Sequence, residues 1–246
     1  KIKLPILTVD TDGMELYDKG EEKAFLELFK IFAIEKYQAE EDRIGILGMT
    51  PQDVSDLDAA DKIRDLYQQK YGKQAVCYCM GDGLEEIREA SSVSRNIVVS
   101  PAALMTAKYL EKTFGTPYEI HYPLVDELVR DMDYHGKKVL VVQQQVIGNA
   151  IREEILKKAP DAQVTVASWF MMKPELRRDE DLHLRDEEDY IKLVETGAYD
   201  VIYADPCMAR MTPKFEGVFV DTVHFAVSGK LVTVEAAKEA KGPSYE

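Results

Sequence analysis

Few residues of this sequence are of the types that catalyse reactions or bind metals, and their spacing forms no complete catalytic motif. Cys77 and Cys79 form a C-x-C pattern in a predicted buried strand, with both side chains on one sheet face. Such a pattern is more often two small core residues than a metal-ligand pair. Cys207 follows another predicted strand near a predicted helix start, which could lower the pKa of its thiol. Three cysteines are too few for a disulfide framework, which favours a reducing, cytoplasmic setting.

The histidines and serines also lack the partners that a catalytic site needs. His224 lies beyond the last apolar strand, where it could reach a cleft, although a satisfied polar contact is the commoner role. The other three histidines are scattered and predict no metal site. Ser100 precedes Pro101 and has no paired base, and the G-x-S-x-G pattern of serine hydrolases does not occur.

Apolar strand-length runs alternate with amphipathic helical patterns along the whole chain, which is typical of parallel sheets covered on both faces. The sequence therefore predicts an α/β fold with two Rossmann-like domains, parallel sheets flanked by helices, and a cleft between the domains. We place the first domain at 1–135, including a leading segment 1–42, and the second at 136–246. A strand is predicted over 4–10, and the first helix from about Glu21 to Tyr37.

Ligands of open parallel sheets bind beyond the carboxyl ends of the strands, where loops and helix N-termini meet. The candidate residues come from those loops: Thr50, Asp82, Ser100, Pro101, Gln143, Cys207 and His224. We interpret them as lining the cleft or binding a cofactor, and assign no catalytic residue and no metal ligand. A dinucleotide site is not predicted, because the loops lack the G-x-G-x-x-G pattern.

The composition of the chain also argues against two classes of partner, nucleic acids and membranes. The formal net charge is −14, so the basic footprint of a nucleic-acid-binding protein is missing. The apolar runs are far shorter than the roughly 20 residues that a membrane-spanning helix needs. We therefore expect neither nucleic acid nor membrane as a partner.

Four motifs occur in a characteristic order between residues 43 and 118: "RIGILG", "GDGLEEI", "NIVVS" and "FGTPY". This stretch resembles the middle domain of nitrogenase component 1-type oxidoreductases. That family includes nitrogenase molybdenum-iron protein subunits, cofactor-assembly scaffolds and subunits of the dark-operative protochlorophyllide reductase. The opening "ILTVDTDGMELYDKGEEKAF" is similar to the family's segment after its N-terminal cluster domain. "GKKVLVV" through "GVFVDTVHFAVSG" is similar to its third domain.

The resemblance implies a protein with three Rossmann-like, chelatase-like domains, of which this chain carries the second and third. The N-terminal cluster-binding domain would precede Lys1, so we expect no cofactor in this fragment and an iron–sulfur cluster in the full-length protein. The implied partners are a paralogous component 1-type subunit and an ATP-dependent iron–sulfur reductase. The isolated fragment is expected to be inactive.

The sequence departs from the family at the cofactor ligands. Ser100 stands where cofactor-carrying subunits have a cysteine, and a neutral serine is a poor iron ligand beside a thiolate. The stretch after His224, "VSGKLVTV", offers no second histidine ligand. We therefore expect an oxidoreductase subunit that does not itself reduce dinitrogen. The alternatives are a two-lobed module that binds a small molecule or metal chelate, and a glycosyltransferase-like enzyme, for which no nucleotide-sugar loop is visible.

Overall fold

The computed structural model describes residues 6–10 and 13–233, in which strands and helices alternate. The first half contains α1 Tyr17–Phe32, β1 Glu40–Leu47, α2 Ala59–Tyr71, β2 Gln74–Cys77, α3 Leu84–Arg88, β3 Val93–Val98, α4 Leu104–Phe114, β4 Tyr118–Ile120 and α5 Val125–Leu128. The second half contains β5 Lys138–Val142, α6 Gln145–Lys158, β6 Gln163–Ser168, β7 Leu182–His183, α7 Glu187–Gly197, β8 Val201–Ala204, β9 Val218–Asp221 and α8 Phe225–Ser228.

The first sheet has four parallel strands in the order β2-β1-β3-β4. Its central strands, β1 and β3, are aligned with Ile46 opposite Ile97, and both side chains are buried. The chain leaves β1 toward β2 on one side and returns to β3 on the other. The carboxyl ends of β1 and β3 therefore flank the point where the strand order reverses, which is where such sheets bind ligands.

The second sheet has five parallel strands in the order β7-β6-β5-β8-β9. Val139 of β5 is aligned with Val164 of β6 on one side and with Val201 of β8 on the other. The strand order reverses between β5 and β8, as in a dinucleotide-binding half-fold. Two parallel sheets flanked by helices confirm the predicted α/β class and its two Rossmann-like units.

The two sheets share one continuous apolar core. Ile44 of β1 and Val141 of β5 belong to the same cluster of buried side chains. The Gln144 side chain, directly beyond β5, donates a hydrogen bond from Nε2 to the carbonyl oxygen of Val99 at 2.7 Å. The carboxyl ends of β3 and β5 therefore meet where the two sheets contact each other, and Ser100 and Gln144 are fully buried there.

The first helix occupies a different range from the predicted Glu21–Tyr37, because it begins at Tyr17 and ends at Phe32. Ser91 holds the residues that follow the helix in a non-helical conformation. Its Oγ accepts the main-chain N–H of Tyr37 at 2.8 Å and donates to the carbonyl oxygen of Glu35 at 2.9 Å. These bonds replace the i to i−4 bonds that would have continued the helix.

The strand predicted over 4–10 is not formed by residues 6–10, which belong to no strand. Residues 4 and 5 lie outside the described residues. Within the part of the chain that the structure describes, no helix combines the length and apolarity needed to cross a membrane.

Candidate functional site

Ser100 lies fully buried where β3 gives way to a helical turn. Its Oγ accepts the main-chain N–H of Ala102 at 3.1 Å and so caps the turn that Pro101 begins. The fixed φ angle of proline suits this first position of a helical turn. The same hydroxyl donates a hydrogen bond to Asp53, which lies in the loop after β1. Ser100 thus joins the ends of β1 and β3 at the point where the strand order reverses.

Asp53 is the centre of this polar site, although sequence analysis did not select it. The residue is buried, with one carboxylate oxygen bonded by Ser100. Its other oxygen, Oδ1, accepts the Tyr17 hydroxyl at 2.5 Å. Burial raises the pKa of Asp53, and the two donating hydroxyls limit that rise. The available sequence signal was that Asp53 lies three residues after Thr50, in one of the loops from which the candidate residues were taken.

Two further carboxyl groups reach the site from the first turn of α1. Asp18 is buried and accepts the main-chain N–H of Met171 at 2.6 Å through Oδ2, while its Oδ1 has no hydrogen-bond partner. Burial raises the pKa of Asp18 to about 6. Burial, and then the charge of Asp53, raise the pKa of Glu21 to about 8, although the nearby Thr50 hydroxyl lowers it in part. Three carboxyls therefore lie together, and the charge of Asp53 raises the pKa of the other two.

His224 lies on the side of the second sheet and is also buried. Its main-chain N–H donates to Asp205 Oδ2 at 2.9 Å, whereas neither ring nitrogen has a hydrogen-bond partner. Burial lowers the pKa of the imidazole to about 4, so the ring is neutral at pH 7. The ring stacks on Phe170 with 4.2 Å between centroids, and Phe170 meets the Tyr17 ring edge-on at 5.4 Å. The rings of His224, Phe170 and Tyr17 thus contact one another in succession, between the second sheet and Asp53.

The other predicted residues of the second sheet take structural positions near its carboxyl edge. The Gln143 side chain is buried and accepts the main-chain N–H of Gln144 at 2.9 Å. Asp205 accepts the main-chain N–H of Cys207 at 2.9 Å, which caps the short turn after β8. The helix start that could have lowered the pKa of Cys207 does not do so: burial and then Asp205 raise the pKa of its thiol to about 11. The group is therefore a protonated thiol at pH 7.

Asp82 lies away from this site. Its carboxylate pairs with Arg64 at 2.8 Å and accepts the main-chain N–H of Cys77 at 2.6 Å, which closes the turn after β2. The expected alternation of Cys77 and Cys79 on one sheet face is wrong, because β2 ends at Cys77. Cys79 has a positive φ of 74° and is exposed.

Comparison with known proteins identifies the architecture. No family model and no curated protein matches the sequence. Among solved structures, the chain is similar to one described as "Nitrogenase Cp1 at pH 6.5", with a TM-score of 0.60 and 13% sequence identity. The match covers 84% of this chain and 58% of that chain. The chain has a nitrogenase component 1-like fold. This result confirms the resemblance that the sequence motifs indicated, at the level of the fold.

The side chains of this component 1-like chain do not fit a metallocluster held at Ser100. Its hydroxyl already donates to Asp53 and accepts from Ala102. A serine hydroxyl is also a hard, neutral group, whereas iron–sulfur clusters are held by thiolates. Among residues 6–10 and 13–233, no group of three or more histidine, cysteine and acidic side chains is arranged to hold a metal ion. The site instead offers hydroxyls, an imidazole and protonatable carboxyls.

Proposed function

We propose that this chain belongs to a component 1-like oxidoreductase subunit in an ATP-linked iron–sulfur electron-transfer complex. The proposal assigns it a substrate other than dinitrogen. Its partners are a paralogous component 1-type subunit and an ATP-dependent iron–sulfur reductase, in the cytoplasm. The chain spans 58% of the nitrogenase chain that it matches, so the proposal concerns the full-length protein.

One observation carries the proposal: the chain is similar to a nitrogenase structure, with a TM-score of 0.60 over 84% of this chain. The chemistry of the polar site supports a substrate other than dinitrogen. Ser100 and Asp53 present a hydrogen-bonded hydroxyl and carboxyl where a cofactor-carrying relative would need a thiolate. A cluster of the full-length protein would therefore be held outside this site, and the site would receive an organic or metallo-organic substrate.

The test is the iron and acid-labile sulfide content of the full-length protein, purified without oxygen. We expect iron and sulfide in roughly equal amounts, and the same amounts in the Ser100→Ala variant, because Ser100 ligates no cluster. A folded full-length protein without iron would contradict the proposal. Loss of the iron in Ser100→Ala alone would contradict the exclusion of Ser100 as a ligand.

A second function, ligand binding without catalysis, is favoured by a separate observation. The buried ring nitrogens of His224 and the buried oxygens of Glu21 have no hydrogen-bond partners, as expected of groups that a polar ligand would satisfy. A two-lobed module that binds a small molecule or a metal chelate fits this arrangement. Thermal stabilisation of iron-free protein by such a ligand would favour this second function, whereas iron-dependent reduction would favour the first.

A further inference from the structure

The first turn of α1, residues 17–22, contacts both halves of the molecule where their sheets meet. Tyr17 bonds to Asp53 on the side of the first sheet. On the side of the second sheet, Asp18 accepts the main-chain N–H of Met171, and Glu22 pairs with Lys173 at 2.5 Å. This turn therefore connects the first sheet to the segment 169–173 that follows β6.

The rest of α1 belongs to the first half of the molecule. Phe25 and Phe29 are buried in the cluster that also contains Val98 of β3 and Leu110 of α4. The residues after the helix are tied to Ser91 by two hydrogen bonds. Among the described residues, the hydrogen bonds and ion pairs from α1 to the second half all come from residues 17–22.

By itself, that first turn would have little helix stability. Leu16 precedes it and provides no side-chain hydrogen bond to the free main-chain N–H groups. Gly20 within it costs about 1 kcal/mol of helix stability relative to alanine. The position of the turn consequently depends on its contacts with the two sheets, and a change in those contacts can displace it without unfolding the protein.

Three carboxyls oppose the docked position of the turn, whereas the Glu22–Lys173 ion pair favours it. The charge of Asp53 raises the pKa of Asp18 and of Glu21, the charge of Asp18 also raises that of Glu21, and no positively charged side chain among the described residues lowers the pKa of any of the three. Among the described residues, the groups that favour their ionised forms are neutral: the hydroxyls of Tyr17, Ser100 and Thr50, and the main-chain N–H groups around Asp18, including that of Met171.

The cations on the surrounding elements already have partners. Lys173 pairs with Glu22, Lys108 of α4 pairs with Glu175, and Arg88 of α3 pairs with Glu85. On α1 itself, Lys19 and Lys23 both pair with Glu15. Docking of the turn therefore places three carboxyls together without a cation that faces them.

We propose that residues 17–22 form a pH-sensitive latch, which holds segment 169–173 against the first sheet when its carboxyls are protonated and releases that segment when they ionise. The shared core keeps the two sheets together in both forms. The latch controls access to the polar site, because Tyr17 bonds to Asp53 and Phe170 of the released segment stacks on His224. It is independent of the proposed electron-transfer function.

The direction of the pH effect follows from the pKa values. The pKa of Asp18 is about 6 in the closed form against 3.8 when free, and that of Glu21 is about 8 against 4.5. Protons therefore bind the closed form more tightly, so closure is complete at about pH 4 and is lost as pH rises toward 8. For Asp18 alone, the ratio of closed to open molecules changes on the order of a hundredfold over this range.

Hydrogen–deuterium exchange of the full-length protein at about pH 5 and pH 8.5, corrected for intrinsic rates, tests the latch. We expect protection of 17–22 and 169–173 to fall at least tenfold at the higher pH, while β1 and β5 keep theirs. The emission of Trp169, the single tryptophan of the chain, should change with the same midpoint.

The variant Asp18→Asn/Glu21→Gln keeps hydrogen-bond acceptors but cannot ionise, so both segments should stay protected at pH 8.5. Glu27→Gln is the matched control, because Glu27 lies on the same helix in an exposed pair with Lys30. It should behave like the wild type. The proposal is overturned if wild-type protection is independent of pH, if the double variant loses protection as the wild type does, or if both sheets lose protection together.

Discussion

The buried ion pair of the second sheet allows the largest stability effect to be predicted. Arg152 of α6 and Asp181 are both fully buried, and the guanidinium donates two hydrogen bonds to the carboxylate, at 2.5 and 3.1 Å. Asp181 also accepts the main-chain N–H of Arg178 at 2.9 Å. The pair fixes the chain between 174 and 181, which follows the segment that the latch contacts.

Arg152→Met keeps most of the side-chain volume and removes the charge, which leaves the Asp181 carboxylate buried without its cation. Breaking a buried pair in this way costs about 3–5 kcal/mol. We expect the lower end, about 3 kcal/mol, because the main-chain N–H of Arg178 still donates to the carboxylate.

Urea unfolding at pH 7 measures the loss, with Arg178→Met as the matched control. Arg178 is an exposed arginine whose side chain makes no ion pair among the described residues, so its replacement should change the free energy of unfolding by less than about 0.5 kcal/mol. A loss below about 1 kcal/mol in Arg152→Met would refute the reasoning, since it would mean that water screens the pair.

Two further predictions concern the site. Gly48 has a φ of +93°, and a Cβ there would lie 2.8 Å from Ser100 Cβ, whereas Gly115 has a φ of +82° and open space around it. Gly48→Ala should therefore lower the free energy of unfolding by about 2 kcal/mol and Gly115→Ala by about 1 kcal/mol, and equal losses would contradict the contact. The imidazole of His224, with its pKa near 4, should show constant NMR shifts from pH 8 to 5. A midpoint near 6.5 would show that the ring is exposed to water.

Local patterns were sufficient to predict the architecture. Apolar runs such as those of β3 and β5 are buried on both faces, and this signal does not depend on distant residues. The turn at Ser100 and Pro101 could be predicted for the same reason, because a proline fixes the local backbone whatever surrounds it. The position of Ser100 in the polar site then followed from the rule that ligands bind beyond the carboxyl ends of parallel strands.

The composition of the site could not be predicted, because it depends on contacts between residues far apart in the chain. Asp18 and Met171 are separated by 153 residues, and Tyr17 and Asp53 by 36. In the sequence, an acidic residue near the start of a helix is an ordinary solvent-exposed feature that suits the helix dipole. The predicted start at Glu21 also left Tyr17 and Asp18 outside the helix altogether.

Ser100 and Asp53 suit each other for an electrostatic reason. The serine hydroxyl donates to Asp53 and adds no charge to a site where Asp18 and Glu21 already lie without a facing cation. A cysteine binds metal as a thiolate, so at position 100 it would add a negative charge that only a bound cation could offset. The serine is therefore compatible with the carboxyl cluster, because protons and hydrogen bonds stabilise both. A thiolate, which the family's cofactor-carrying subunits would have at this position, requires a site without a buried carboxyl beside it.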